Sequence, residues 1–241
     1  MKKINISYII GFVLLLVVVI DFGKLLLTMD FTSFDIIRYL PDILCFIGAI
    51  IFILSNILGI APVNPEKTEL FENILVYLYQ NEEVCEKPYK APDELMSRLK
   101  KNMRDEEVLN ELAKDIATFC DVDPSKMNIK VQNDLIEAAG TYNTEDNEIN
   151  ISFANTRTPS EVLAVLIHEC MHYILRQKNL WLESREENEY MTDIACLYFG
   201  FTEYINRGYI LVGYLKRNEI RSIKKMIKDI KEIKDEPDEE D

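Results

Sequence analysis

The chain has 241 residues, 48% of them hydrophobic and 28% charged, and this balance excludes a disordered or collagen-like protein. The formal net charge of -14 argues against a nucleic-acid partner, because phosphate recognition needs clustered Lys and Arg. The five cysteines include no C-x-x-C pair, which argues against a disulfide scaffold and favours a reducing compartment.

Two uncharged apolar stretches lie at the start of the chain. Ile4 to Ile20 and Ile43 to Ala61 are close to the ~20 residues that a membrane span needs, so we predict two transmembrane helices in residues 1–61. The alternative for the first stretch is a signal peptide, but no small-residue cleavage site follows it. Because Lys2 and Lys3 precede the first span, the positive-inside rule predicts a two-span protein of the cell membrane, in contact with the lipid bilayer, whose main domain is cytoplasmic.

The residues after this predicted anchor are expected to form helices and then a small sheet. Helical patterns lie at 66–80, from Pro92 onward, and at 106–119, and they define a helical segment over 62–127. Short β patterns follow at 128–132, 138–142 and 148–152, the last two as a hairpin around a polar turn. The end of the chain, 216–241, is predicted to be an amphipathic helix and a disordered acidic tail.

A helix predicted to begin at Thr158 carries both histidines of the chain. Thr158-Pro159-Ser160-Glu161 has the pattern of a capping box, and the apolar run after it predicts a buried helix. The interior polar residues of this helix are His168, Glu169 and His172, in an H-E-x-x-H pattern. Positions i and i+4 share a helix face, so both imidazoles can reach one metal ion, with Glu169 beside it as candidate general base. The alternative is a pair of hydrogen-bonded core histidines. It does not explain why His168, Glu169 and His172 are buried together, since burying polar groups without partners is unfavourable.

A catalytic zinc ion needs a third protein ligand, and the chain contains no third histidine. The next predicted helix, which Gly200 is expected to end, offers Glu189 as that ligand. Asp193 lies one turn further along the same face and can accept the second ring N–H of one histidine. Glu186 and Glu187 are the competing ligands.

The two motifs together resemble those of a peptidase clan. His168-Glu169-Cys170-Met171-His172 followed by Asn188-Glu189-x-x-Thr192-Asp193 is similar to the pattern of the gluzincins, the thermolysin-like zinc peptidases. The two leading spans resemble those of HtpX-type membrane proteases. The resemblance implies an α+β fold: a zincin-like catalytic domain over 128–215, with a small mixed sheet packed on metal-binding helices, behind two transmembrane helices.

The resemblance also implies a function, that of a membrane-anchored zinc peptidase with one Zn²⁺ per chain. It is expected to be an endopeptidase rather than an exopeptidase, acting on a peptide or protein substrate. His168, His172 and Glu189 would hold the zinc, and Glu169 would be general base toward a metal-activated water. The clan pairs the substrate with an edge strand, which corresponds here to Ala138, Ala139, Gly140, Thr141 and Tyr142. It also uses a His or Tyr to stabilise the oxyanion, and the candidates here are Tyr204, Arg207 and Tyr209.

Other functions compete with the peptidase. A di-iron carboxylate protein needs a second E-x-x-H motif, and no histidine remains to build one. A purely structural zinc site leaves Glu169 without a role. A catalytically weak or inactive zinc-binding regulatory module of the same fold stays open at this stage, as does the oligomeric state.

Overall fold

The protein is described from a computed structural model. The described residues are 48, 63–132, 139–153, 158–208 and 214–235. The chain divides into two units, Met1–Pro62 and Val63–Asp241, and the description below concerns the second.

The described part of this unit is mainly helical. Its α-helices are α1 (Pro65–Asn81), α2 (Asp93–Lys101), α3 (Glu106–Phe119), α4 (Pro159–Gln177), α5 (Arg185–Tyr198), α6 (Thr202–Gly208) and α7 (Arg217–Asp235). The helices expected near 66–80, after Pro92 and at 106–119 are all present. Helix α3 begins where the Asp105 carboxylate accepts the backbone N–H groups of Glu107 and Val108.

The ends of the two helices that carry the predicted site follow the signals in the sequence. The Thr158 hydroxyl accepts the Glu161 N–H, and the Glu161 carboxylate accepts the Thr158 N–H, so the predicted capping box begins α4. Helix α5 ends at a glycine, as expected: Gly200 has a φ of 93°, and Phe201 N–H reaches back to Cys196 O. This is a Schellman motif, which needs a residue that tolerates positive φ.

Three strands form a small mixed sheet. The strands are β1 (Asn128–Gln132), β2 (Gly140–Asn143) and β3 (Glu148–Ser152), and their order is β1-β3-β2. Strand β3 is parallel to β1 and antiparallel to β2, with Tyr142 opposite Ile149. Among the described strands β2 pairs with β3 alone and therefore lies at the edge. The α+β part of the predicted fold class agrees with this arrangement.

Helix α4 lies at the centre of the core. It contacts α3, α5 and α6 as well as strands β2 and β3, and its apolar side chains are buried almost all the way round. Ile149 and Ile151 of β3 are fully buried in the same core. The four described cysteines are free, which agrees with the absence of a predicted disulfide framework.

The prediction of two membrane spans is contradicted. In the described part of the chain, no helix has both the length and the apolar character needed to cross a membrane. Of the two 19-residue helices, α7 carries charges throughout, and α4 is interrupted by the polar H-E-x-x-H residues, whereas a span needs ~20 mainly apolar residues. The stretch 4–20 and all of 43–61 except Gly48, from which the spans were predicted, lie outside the described residues. The transmembrane part of the predicted fold class and the predicted two-span membrane location are therefore wrong.

Candidate metal centre

Three side chains from α4 and α5 converge on one point. His168 and His172 stand one turn apart on α4, with ring centroids 4.9 Å apart and ring planes nearly perpendicular. Glu189 of α5 places Oε2 3.4 Å from Nε2 of His168 and 3.4 Å from Nε2 of His172. These three residues could hold a metal ion, as predicted. Within the described residues this group does not include the competing ligands Glu186 and Glu187.

Each histidine is oriented through its other ring nitrogen. Nδ1 of His168 lies 2.9 Å from Oδ1 of Asp193, within ion-pair distance, although the two atoms do not have the alignment of a hydrogen bond. Nδ1 of His172 lies 3.0 Å from the Thr192 hydroxyl. That hydroxyl donates its own hydrogen to Asn188 O, so it accepts from the imidazole. Both rings therefore turn Nε2 toward Glu189, the arrangement that a shared metal ion requires.

Asp193 lies beside His168, and the structure shows what holds its other oxygen. Asp193 is fully buried, and its Oδ2 accepts the backbone N–H groups of Tyr214 and Leu215 at 2.9 and 3.3 Å. These residues lie just before α7. The carboxylate thus lies between the segment that precedes α7 and the ring of His168.

Neighbouring charged side chains control the pKa values of His168 and Glu189. Burial by itself lowers the pKa of His168, but the carboxylates of Asp193 and Glu189 outweigh burial and raise this pKa well above its usual value. Burial likewise acts to raise the pKa of Glu189, and His168 and His172 outweigh it, so the pKa falls far below the usual range. The cluster thus attracts a positive charge, which either a proton or a metal ion can supply.

Glu169 lies in the same buried region, with only 5% of its surface exposed. Burial raises the pKa of its carboxyl group, and the two histidines oppose this shift without cancelling it. A carboxylate of raised pKa next to a metal-binding group is suited to proton transfer.

The edge strand β2 lies beside these residues. The Tyr142 ring stacks near His172, with centroids 6.4 Å apart and planes within 7° of parallel. Ala139 O accepts the Ser152 N–H at 2.8 Å, so the alternation of an antiparallel pair directs the N–H and C=O groups of Gly140 and Tyr142 away from β3. Thr141 is bonded toward β3, and Ala138 lies outside the described residues.

Of the three oxyanion candidates, the structure describes the side chain of Tyr204 alone. The Tyr204 hydroxyl accepts the Ala91 N–H at 2.9 Å, and the Tyr204 ring packs on Tyr89. The Arg207 side chain and Tyr209 lie outside the described residues.

Two residues near the site were missed by the sequence reasoning. Thr192 belongs to the motif found in the sequence, but it was not predicted as the partner of His172. Its position three residues after Glu189, on the same side of α5, could have indicated this contact. Tyr214 is half-exposed, and its pKa is raised by partial burial and by the nearby charge of Glu189. Nothing in the sequence around Tyr214 indicated this proximity.

Comparison of the chain with protein-family models, curated proteins and solved structures finds no match.

Proposed function

We propose that this protein is a zinc-dependent peptidase that works in the manner of the gluzincins. The observation that carries the proposal is the convergence of His168, His172 and Glu189, with the buried Glu169 next to them on α4. Paired ring nitrogens and one carboxylate are typical of a catalytic zinc site, which has three protein ligands and one open position.

The spacing of the donor atoms is compatible with zinc. Zinc bonds of ~2.0–2.1 Å in a tetrahedron place neighbouring ligand atoms roughly 3.3–3.4 Å apart. The separation from Glu189 Oε2 to each Nε2 is 3.4 Å. Calcium and magnesium prefer all-oxygen sites, so the two imidazoles argue against them.

Glu169 is the residue that would move protons. When bound, zinc would acidify a water molecule and polarise the scissile carbonyl. Glu169 would accept a proton from that water and deliver it to the leaving amine. The raised pKa of its carboxyl group supports this role, because a base is most effective when its pKa is near the working pH.

The substrate would bind along β2. Gly140 and Tyr142 direct their backbone N–H and C=O groups away from β3, so an extended peptide could add to the sheet there by main-chain hydrogen bonds. Such recognition reads the peptide backbone, which supports an endopeptidase acting on extended segments of protein.

The proposal is tested with Glu169→Gln in the full chain. We expect hydrolysis of a labelled, denatured protein to fall by about 10²–10⁴-fold, because the proton acceptor is lost. The zinc content is expected to stay at one ion per chain, since Glu169 is not a ligand. Glu186→Gln is the matched control: it removes the same charge from an exposed position on α5, and activity should be retained.

A catalytically weak zinc-binding module is the second candidate. It is favoured by Tyr204, whose hydroxyl already accepts a hydrogen bond from the Ala91 N–H. Wild-type protein that binds zinc tightly but cleaves no denatured protein or peptide would support this module and reject the peptidase.

A further inference from the structure

Gly140 of β2 touches the proposed general base. A Cβ atom built on Gly140 would lie 2.7 Å from Cγ and Oε1 of Glu169 and 2.7 Å from Cγ1 of Val165. Carbon atoms in contact are normally ~3.5–4.0 Å apart. No side chain fits here unless a neighbour moves by about 1 Å.

The neighbours differ in how far they can move. Val165 and Glu169 are one turn apart on the α4 face that meets β2, and the α4 backbone is buried in the core. Strand β2 is held by its register with β3, where Gly140 lies opposite the fully buried Ile151. The Glu169 side chain is the part that can rotate, so a larger residue at position 140 would displace the carboxylate.

We propose that Gly140 is a positioning residue for Glu169. With no side chain at position 140, the edge strand lies directly against the carboxylate and holds it in place between the strand and the metal ligands. The expected effect of Gly140 on catalysis rests on the peptidase function proposed above, whereas its packing against Glu169 does not.

Gly200 provides a matched comparison. A Cβ there would lie 3.1 Å from Lys87 O and 3.2 Å from Cys85 Sγ, and Gly200 has positive φ. An alanine at position 200 therefore strains the fold at the end of α5 without contacting Glu169. Gly200→Ala is a variant with a purely structural defect.

The first experiment compares kinetics and zinc content. We expect Gly140→Ala to lower kcat by about 10–100-fold, because a 1 Å misplacement of a reacting group has that effect. KM should change little, since the backbone groups of residue 140 remain, and zinc should stay bound. Gly200→Ala should unfold at a lower temperature with unchanged kcat. If the wild-type protein is active and Gly140→Ala has the same kcat, the positioning role is overturned.

The second experiment needs no enzymatic activity and therefore separates this inference from the proposed function. Gly140→Ala and Gly200→Ala are each introduced into wild-type and Glu169→Ala protein, and unfolding temperatures are measured. Gly140→Ala should lower the wild-type temperature by roughly 5 °C, and by clearly less when Glu169 is absent. Gly200→Ala should lower both equally.

An equal loss for Gly140→Ala in both backgrounds would overturn the contact between Gly140 and Glu169. If Gly140→Ala does not fold, the same cycle is measured in Val165→Ala protein. That change removes the contact with Val165 and leaves the contact with Glu169 to be tested.

Discussion

Two largely buried polar clusters include neighbouring residues of α5, Glu189 and Tyr190, and they differ in how their charges are balanced. The metal cluster consists of His168, His172 and Glu189. The lysine cluster consists of Lys67, Tyr190 and Glu219: Lys67 Nζ donates to the Tyr190 hydroxyl at 2.9 Å and to Glu219 Oε1 at 3.0 Å. Glu219 is 3% exposed, and its second oxygen accepts the Lys216 N–H.

The difference lies in the supply of positive charge. The lysine cluster contains its own permanent cation, so its donors and acceptors are matched within the protein. In the metal cluster the Nδ1 atoms of His168 and His172 lie against Asp193 and Thr192, and both Nε2 atoms face the carboxylate of Glu189. That cluster is completed only by a proton or a metal ion from outside. The comparison distinguishes a buried polar group that stabilises the fold from one that is available for chemistry.

The largest expected effect is on the metal cluster itself. Glu189→Ala should weaken zinc binding by at least about 100-fold, because it removes a proposed ligand together with the negative charge that balances the ion. This loss is larger than the one typical of a residue that only orients a ligand. Isothermal titration of metal-free protein with zinc measures this. Glu186→Ala, one turn before Glu189 on α5, is the control, and retention of full affinity in Glu189→Ala would remove Glu189 from the ligand set.

Smaller effects are expected from the residues that orient the imidazoles. Asp193→Asn should lower zinc affinity by about 10–100-fold, because the carboxylate that fixes the His168 ring is lost. Thr192→Val keeps the side-chain shape and should have a weaker effect, of about 10-fold or less, since the hydroxyl is neutral. Competition with a chelator of known affinity measures both. Equal affinity in Asp193→Asn and wild type would show that ring orientation does not depend on this contact.

The smallest effect on the metal is expected from the lysine cluster. Lys67→Met should reduce the free energy of unfolding by about 1–2 kcal/mol, because Glu219 is left buried without its cation; the partial exposure of Lys67 limits the loss. Zinc affinity should remain within about two-fold of wild type. The double variant Lys67→Met with Glu219→Leu should recover part of the stability, since no unpaired charge remains. A parallel loss of zinc affinity would show that the two clusters are coupled through α5.

Local patterns predicted much of the site. The i, i+4 spacing of His168 and His172 is a property of one helix, and the caps at Thr158 and Gly200 depend on residues within a few positions. The position of Glu189 beside the histidines depends in addition on how two helices pack together. The membrane prediction had the same local basis, a count of apolar residues, and the described helices contradict it.

The sequence by itself determined which side chains are available: two histidines one helical turn apart, a glutamate beside the first, and no third histidine, so that a carboxylate had to complete any metal site. Tertiary structure decided which distant groups meet them. Tyr214, just before α7, binds Asp193 from 21 residues away, Gly140 lies against Glu169, and Tyr204 is bound to Ala91. Such contacts depend on how helices and strands pack, and because no period or spacing along the chain encodes them, they can be read only from the folded protein.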